Sequence, residues 1–383
     1  MTDRAHLSDR STARAFIRRC VLGILVAAVS PSSSSASVIV PFHRNLIQLQ
    51  ACLSAIRQSA PDVELIVAAD GAIEDCRPLA TTHGARVIVV PGPSGPAVAR
   101  NRAAAQATGE VLLFVDTDVV VAPDAIAGMR ALLDAAPNIA GVFGAYDRQP
   151  AATNFMSQFK NLSHAYVHEI ANRRASTFWA GLGALRADAF RAVGGFDERF
   201  ARPSVEDIDL GYRLVSAGYA LQLDPQFRGR HLKRWTLWNC IVTDIRARGV
   251  PWMQLIQRFQ ALTNDLNTSM ALRLSVVVAY LAVASVALAW LTPWAFVATA
   301  ALLATLYALN ADYYKWFAAR RGWGFALRVL PVHLIHHLCN GVSFAVGTTL
   351  FTANRLGITL PGTLPPGAWT APMAAAAARG QTP

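Results

Sequence analysis

Two stretches of this chain, 274–310 and 329–354, contain no Lys, Arg, Asp or Glu. Each is longer than the roughly 20 apolar residues that a helix needs to cross a bilayer. The chain has 383 residues, 53% hydrophobic and only 15% charged, and the charge deficit is concentrated in these two stretches. A helical hairpin over 271–291 and 293–310 is expected, followed by a third span over 329–352. Residues 269–354 thus read as three transmembrane helices.

The formal net charge of +11 fits that reading. Arg246, Arg248, Arg258 and Arg273 precede the first apolar stretch, and Lys315, Arg320, Arg321 and Arg328 lie between the two. Positive residues beside spans mark the cytoplasmic face and meet anionic headgroups. An integral protein of the inner or plasma membrane, with its remaining domain in the cytoplasm, is expected. A nucleic-acid partner is not, because no basic-plus-aromatic binding module accompanies the charge. Pro251, Trp252, Leu255, Ile256 and Phe259 suit a helix lying in the interface, so 237–268 reads as an interfacial amphipathic segment. The aromatic and basic stretch 313–323 is likewise expected at the interface. His333, His336 and His337 have a spacing that can bind metal, but such a cluster near a span end more often hydrogen-bonds to neighbours.

At the amino end, Arg18 and Arg19 precede an apolar run over 20–29 that is too short to span a membrane. Residues 1–36 are read as a poorly ordered leader, and 355–383, rich in Pro, Gly and Ala, as a disordered tail. The five cysteines are scattered and lack CxxC spacing, which points to reduced thiols rather than a disulfide framework or zinc site.

Between leader and membrane end, β-branched runs alternate with helical periodicity. Strands are expected over 37–41, 63–69, 85–90 and 111–115, with helices over 46–59, 73–83 and 97–108. This alternation implies a parallel α/β sheet. Ligands bind beyond the carboxyl ends of such strands, where Pro41, Asp70 and Asp116 fall. Later elements are helices over 123–135, 154–171, 187–193 and 206–217, and short strands over 142–146, 177–185 and 221–223.

Asp116-Thr117-Asp118 leaves the fourth strand directly. Two carboxylates one residue apart can address a hard divalent cation, which completes its shell with phosphate oxygens. The bland alternative is a solvated turn. Glu206, Asp207 and Asp209 open a helix, where acids complement the dipole and cap the end. A carboxylate at such a helix start is also well placed as a general base.

These residues together resemble the family 2 glycosyltransferases of the GT-A fold. The resemblance runs over about 37–236 and is carried, in the family's order, by VIVPFHRN, ELIVAADGA, GPAVARNRAAAQATGEVLLFVDTD, GLGALRADAFRAVGGFDERF and EDIDLGYRL. It implies a GT-A, Rossmann-like catalytic domain followed by an α-helical transmembrane region. It further implies Pro41, Asp70 and Arg100 around the donor nucleotide, Asp116 on ribose or metal, and Asp118 on a magnesium or manganese ion. Asp207 would be the base of an inverting transfer. The implied donor is a nucleoside-diphosphate-sugar, a UDP-sugar by preference, and the implied acceptor is lipid-linked or membrane-proximal. His231-Leu232-Lys233-Arg234-Trp235 resembles the QxxRW signature of processive members without its Gln. His231 is then a third metal ligand, Arg234 contacts either the diphosphate or lipid headgroups, and Glu206 and Trp235 belong to the acceptor side. Two other readings stay open: a nucleotidyltransferase, for which PFHRN lacks the expected glycine cluster, and an inactive membrane scaffold.

Overall fold

The computed structural model describes residues 34–72, 74–261 and 268–365. Its first half alternates as the periodicity predicts: β1 (Ala36–Phe42), α1 (Leu46–Ser59), β2 (Glu64–Asp70), α2 (Arg77–Thr82), β3 (Arg86–Val90), α3 (Pro96–Ala104) and β4 (Val111–Val115). These strands pair in parallel in the order β3-β2-β1-β4. Ile39 and Phe114 face one core and Val38 and Val115 the other, so the central strands are buried on both sides. That is why they read as nearly continuous apolar runs.

Beyond β4 the sheet is mixed, not wholly parallel as expected. The elements are β5 (Val119–Val121), α4 (Ala125–Ala135), β6 (Ile139–Tyr146), α5 (Phe155–Ile170), β7 (Arg174–Ala175), β8 (Leu182–Arg186), α6 (Ala187–Ala192), α7 (Glu206–Ser216) and β9 (Ala220–His231). Strand β8 runs antiparallel between β4 and β6, β9 is parallel to β6, and β5 closes antiparallel on the end of β9. Only 221–223 of β9 is legible in the sequence, because Pro225, Gly229 and three later basic residues mask its alternation. Tertiary pairing overrides that weak local signal.

The carboxyl end holds α8 (Leu237–Val242), a π-helical segment (Thr243–Gly249), α9 (Val250–Phe259), α10 (Met270–Leu288), α11 (Trp294–Leu309), α12 (Ala311–Arg321) and α13 (Trp323–Arg355). Helices α10 and α13 are long and apolar enough to cross a membrane. Helix α11 has 16 residues and bends by 68° into α12, so the pair makes a third candidate only if counted as one broken span. The stretch expected at the interface packs against the α/β domain. Tyr313, Tyr314 and Phe317 of α12 join Val329 of α13 against Phe159 and Leu162 of α5. Two cations between the spans are engaged within the protein: Arg320 stacks 3.8 Å from the Trp316 ring and Arg321 donates to Arg148 O at 2.9 Å. His333 meets the Tyr314 hydroxyl at 3.0 Å and His336 meets Asp244 at 3.2 Å, which uses the histidine spacing for neighbours.

The tail expected to be disordered is packed as far as Pro365. Gln254, buried in α9, bonds Gly362 O and Leu364 N, and Arg258 donates to Pro365 O. Cys52, Cys76, Cys240 and Cys339 are free and buried. Cys20, the leader through residue 33 and the tail from residue 366 lie outside the described residues.

Gly211 decides how closely α7 approaches the sheet. A Cβ there would stand 2.3 Å from Phe178 N and 2.6 Å from Thr177 Cα. Ala is the better helix former by about 1 kcal/mol, but it would force backbone from backbone. Gly211→Ala is expected to destabilise the protein by about 1–3 kcal/mol; thermal unfolding in detergent measures it, and an unchanged or raised midpoint contradicts the contact.

Candidate active site

The turn after β4 is tied down by backbone hydrogen bonds at Asp116 and Asp118. Asp116 N donates to Gly181 O at 3.2 Å, Val119 N to Asp116 O at 2.9 Å, and Leu232 N to Asp118 O at 2.8 Å. Thr117 Oγ1 donates to Pro41 O, fastening the turn to β1. Asp116 and Asp118 therefore leave a rigid strand end rather than a solvated loop.

Arg100 of α3, 4% exposed, sits behind this turn. Its Nη2 donates to Asp116 Oδ1 at 2.6 Å and its Nη1 to Glu206 Oε1 at 3.0 Å. One guanidinium thus joins the end of β4 to the start of α7. Burial holds the Asp116 carboxyl above its ordinary value in spite of Arg100. The second oxygen of Glu206 accepts Ser204 N at 2.8 Å. With both oxygens engaged and 4% exposure, Glu206 is not presented to an acceptor as the sequence suggested; it holds Arg100. Its neighbour Asp207 accepts Ala180 N at 3.2 Å and Ile208 N at 2.8 Å. Burial, reinforced by the Glu206 charge and opposed by Arg100, raises the Asp207 carboxyl to about 7.

His231 closes the opposite side. Its Nδ1 donates to Asn161 Oδ1 at 2.6 Å, and its Nε2 lies 3.2 Å from Asp118 Oδ2. The ring stacks on Tyr146 at 4.4 Å and 9°. Burial raises the Asp118 carboxyl, but the bond and charge of His231, with Lys233, outweigh it and hold the group below its usual range. The amide oxygen of Asn161 holds the ring with Nε2 turned toward Asp118. No group of three His, Cys, Asp or Glu converges for a metal among the described residues. Asp118 and His231 are the residues here that could hold a divalent ion.

Asp118 opens onto a cleft of about 690 Å³ also lined by Arg44, Asn45, Glu74, Lys233 and Arg234. Arg44, Lys233 and Arg234 give its wall a cationic lining. Arg234 is exposed there, whereas Trp235 is 2% exposed. Trp235 N donates to Ser157 Oγ at 2.7 Å and Lys233 Nζ covers its ring at 4.1 Å. The expected stacking face for an acceptor is therefore closed, because backbone and cation pin the indole inward. Asp70 spends both oxygens on Ser94 N and Gly95 N, at 2.7 and 2.9 Å, and so fixes the 91–95 loop. Residues that the sequence reading missed include Arg44, Tyr146, Asn161 and Lys233. Arg44-Asn45 was the findable signal, since it follows the first strand directly and Asn45 caps α1 in the left-handed region.

Residues 37–194 match the sequence model of glycosyl transferase family 2. The matched segment includes Pro41 through Asp118, while Asp207 and His231 lie beyond it. The pre-mycofactocin glycosyltransferase of Mycobacterium tuberculosis is 25% identical over 232 residues, 57% of this chain and 48% of that protein. The succinoglycan biosynthesis protein ExoA of Rhizobium meliloti is 27% identical over 209 residues, 50% of this chain and 61% of that protein. The chain thus spans about half the length of the first of these curated relatives. Among solved structures, a mannosyltransferase from Pyrobaculum calidifontis in complex with GDP-Man and Mn2+ aligns at a TM-score of 0.49 and 19% identity, over 87% of this chain and 96% of that one.

Removing Arg100 takes the shared cation from buried Glu206 and part-exposed Asp116. Arg100→Met is expected to cost about 3 kcal/mol or more, and Arg100→Met with Glu206→Met to recover part of it. Unfolding midpoints of the two variants test this; a double variant no more stable than the single one contradicts the bridge.

Proposed function

We propose that this chain is an inverting, metal-dependent glycosyltransferase that moves a sugar from a nucleoside-diphosphate-sugar to a lipid-linked or membrane-proximal acceptor. The observation that carries the reading is the Arg100 bridge, which ties the start of α7, where Asp207 stands, to Asp116 at the end of β4. A UDP-sugar is the first donor to test. Arg44, Lys233 and Arg234 supply positive charge where a diphosphate would lie. Asp118 and His231 would hold the cation, which when bound neutralises charge on the departing diphosphate.

In the proposed step the acceptor hydroxyl oxygen forms a bond to the anomeric carbon as that carbon's bond to the diphosphate oxygen breaks. The hydroxyl proton passes to Asp207 and the nucleoside diphosphate leaves. A carboxylate held near 7 suits this task better than one at its ordinary value, since a stronger base at working pH takes the proton more readily. Helices α10 and α13, with the broken pair α11–α12 as a third span, would anchor the enzyme, the basic 315–328 region and the catalytic domain lying on the cytoplasmic side.

Transfer assays in detergent with manganese or magnesium test the assignment. Asp207→Asn is expected to lower kcat by about 10²-fold or more with little change in donor binding. Wild-type rates from both Asp207→Asn and Asp118→Ala would sink it, and pyrophosphate as product would indicate nucleotidyl transfer instead.

The pH profile gives a separate check. Asp207 acts only when deprotonated, so kcat/KM should fall about tenfold per unit below an apparent value near 7. Because the Glu206 charge raises Asp207, Glu206→Gln should move that limb to lower pH. A limb that stays in place in Glu206→Gln excludes Asp207 as the titrating group.

A further inference from the structure

The short stretch Trp179-Ala180-Gly181, just before β8, touches both halves of the acidic site. Ala180 N donates to Asp207 Oδ2 at 3.2 Å, and Gly181 O accepts Asp116 N at 3.2 Å. The Trp179 indole folds back over this stretch, and glycine at 181 leaves it room. A Cβ there would stand 2.5 Å from Trp179 Cε2 and 2.6 Å from its Nε1. The indole nitrogen is thereby placed beside the backbone that links Asp116 to Asp207.

Phe178 and Ala180 are buried, whereas Trp179 between them is only half-buried. Its ring meets Tyr146 edge-on at 4.7 Å and 82°, and half-buried His164 of α5 at 5.4 Å. His164 also lies 4.7 Å from Tyr146, which stacks on His231 beside Asp118. These rings form one continuous wall from Asp118 to the stretch that holds Asp207. Trp179 Nε1 and His164 Nε2 are not buried, and neither has a hydrogen-bond partner among the described residues. Burial, with the charge of neighbouring His168, holds the His164 imidazole well below its ordinary value. A neutral imidazole can give or take a hydrogen bond. An accessible indole with a free N–H suits a ligand that is apolar on its face and polar at its rim. A pyranose ring has that form, with C–H groups on its faces and hydroxyls around its edge. The cleft wall offers a diphosphate the cations Arg44, Lys233 and Arg234, whereas this wall offers rings and hydrogen-bonding nitrogens.

We propose that Trp179 and His164 form the subsite for the acceptor's sugar, so that the hydroxyl presented to Asp207 belongs to a pyranose ring. This rests on the glycosyltransferase reading and names the acceptor's chemical class. Trp179 takes the stacking role that buried Trp235 cannot fill.

The test uses the full chain in phosphatidylcholine nanodiscs, with UDP or GDP and manganese added. Saturation-transfer NMR probes glucose, galactose, mannose and N-acetylglucosamine, with open-chain sorbitol as the control that has hydroxyls but no ring face. At least one pyranose should take up saturation, strongest at its C–H protons, where sorbitol does not. Trp179→Ala should weaken that contact about tenfold, as loss of an apolar face implies, and His164→Ala about fivefold, the effect of one hydrogen bond. No pyranose preference in wild type, or an undiminished contact in either variant, overturns the assignment. So does displacement of the pyranose by bound UDP-glucose or GDP-mannose, which would put it in the donor's sugar pocket. If Trp179→Ala does not fold, Trp179→Phe keeps the ring and removes the N–H. A contact that Trp179→Phe does not weaken by about fivefold then overturns the assignment. Failure of wild type to bind either nucleotide overturns the glycosyltransferase reading and this inference with it. Nucleotide binding without pyranose contact overturns this inference alone.

Discussion

Arg100 reaches from α3 through the protein interior to two carboxylates that belong to different parts of the chain, Asp116 at the end of β4 and Glu206 at the start of α7. At 4% exposure it cannot fall back on water, so its two bonds are obligatory and fix the spacing between those elements. Asp207 inherits its place from that spacing, and the bond from Ala180 N sets its direction. The same charges set its chemistry: Glu206 and burial push its carboxyl up while Arg100 restrains it. Position and proton affinity at this point come from one network.

A second polar joint does comparable work at the membrane end. Lys160, Asp244 and His336 come from the catalytic domain, the π-helical segment and α13. Lys160 holds the Asp244 carboxyl well below its usual range, with His336 adding to the effect against the cost of burial. Around this joint, Phe159, Tyr313, Phe317 and Val329 pack as one apolar cluster. Hydrophobic contact gives α12 and α13 their adhesion to α5, and the ion pair gives the register. The chain after β9 therefore packs into the α/β domain as well as offering a candidate anchor.

Much of this was legible from the residues alone where local rules agree with the final fold. The strand ending in Phe114-Val115 before Asp116-Thr117-Asp118 is fully apolar because both its faces are covered. The acids at 206, 207 and 209 signal a helix start, and the long uncharged stretches signal helices suited to a bilayer. What stayed hidden depends on distant partners. Nothing local says that Glu206 will be consumed by Arg100, that Trp235 will be pinned by Ser157 and Lys233, or that the tail through Pro365 will satisfy Gln254. Asp244, a lone acid in a basic run, was a weak signal, since such a charge usually has a partner.

The sequence by itself determined the alternation of strand and helix, the acids at strand and helix ends, and the apolar helices near the carboxyl end, because these follow from periodicity and from the cost of burying charge. Only the tertiary structure decided that the sheet becomes mixed, that Asp118 meets His231 from 113 positions away, and that Arg100 joins Asp116 to Glu206. The physical reason is the same in each case. Hydrogen bonds and ion pairs between remote residues are chosen by geometry after the core has packed, and a linear pattern carries no record of that choice.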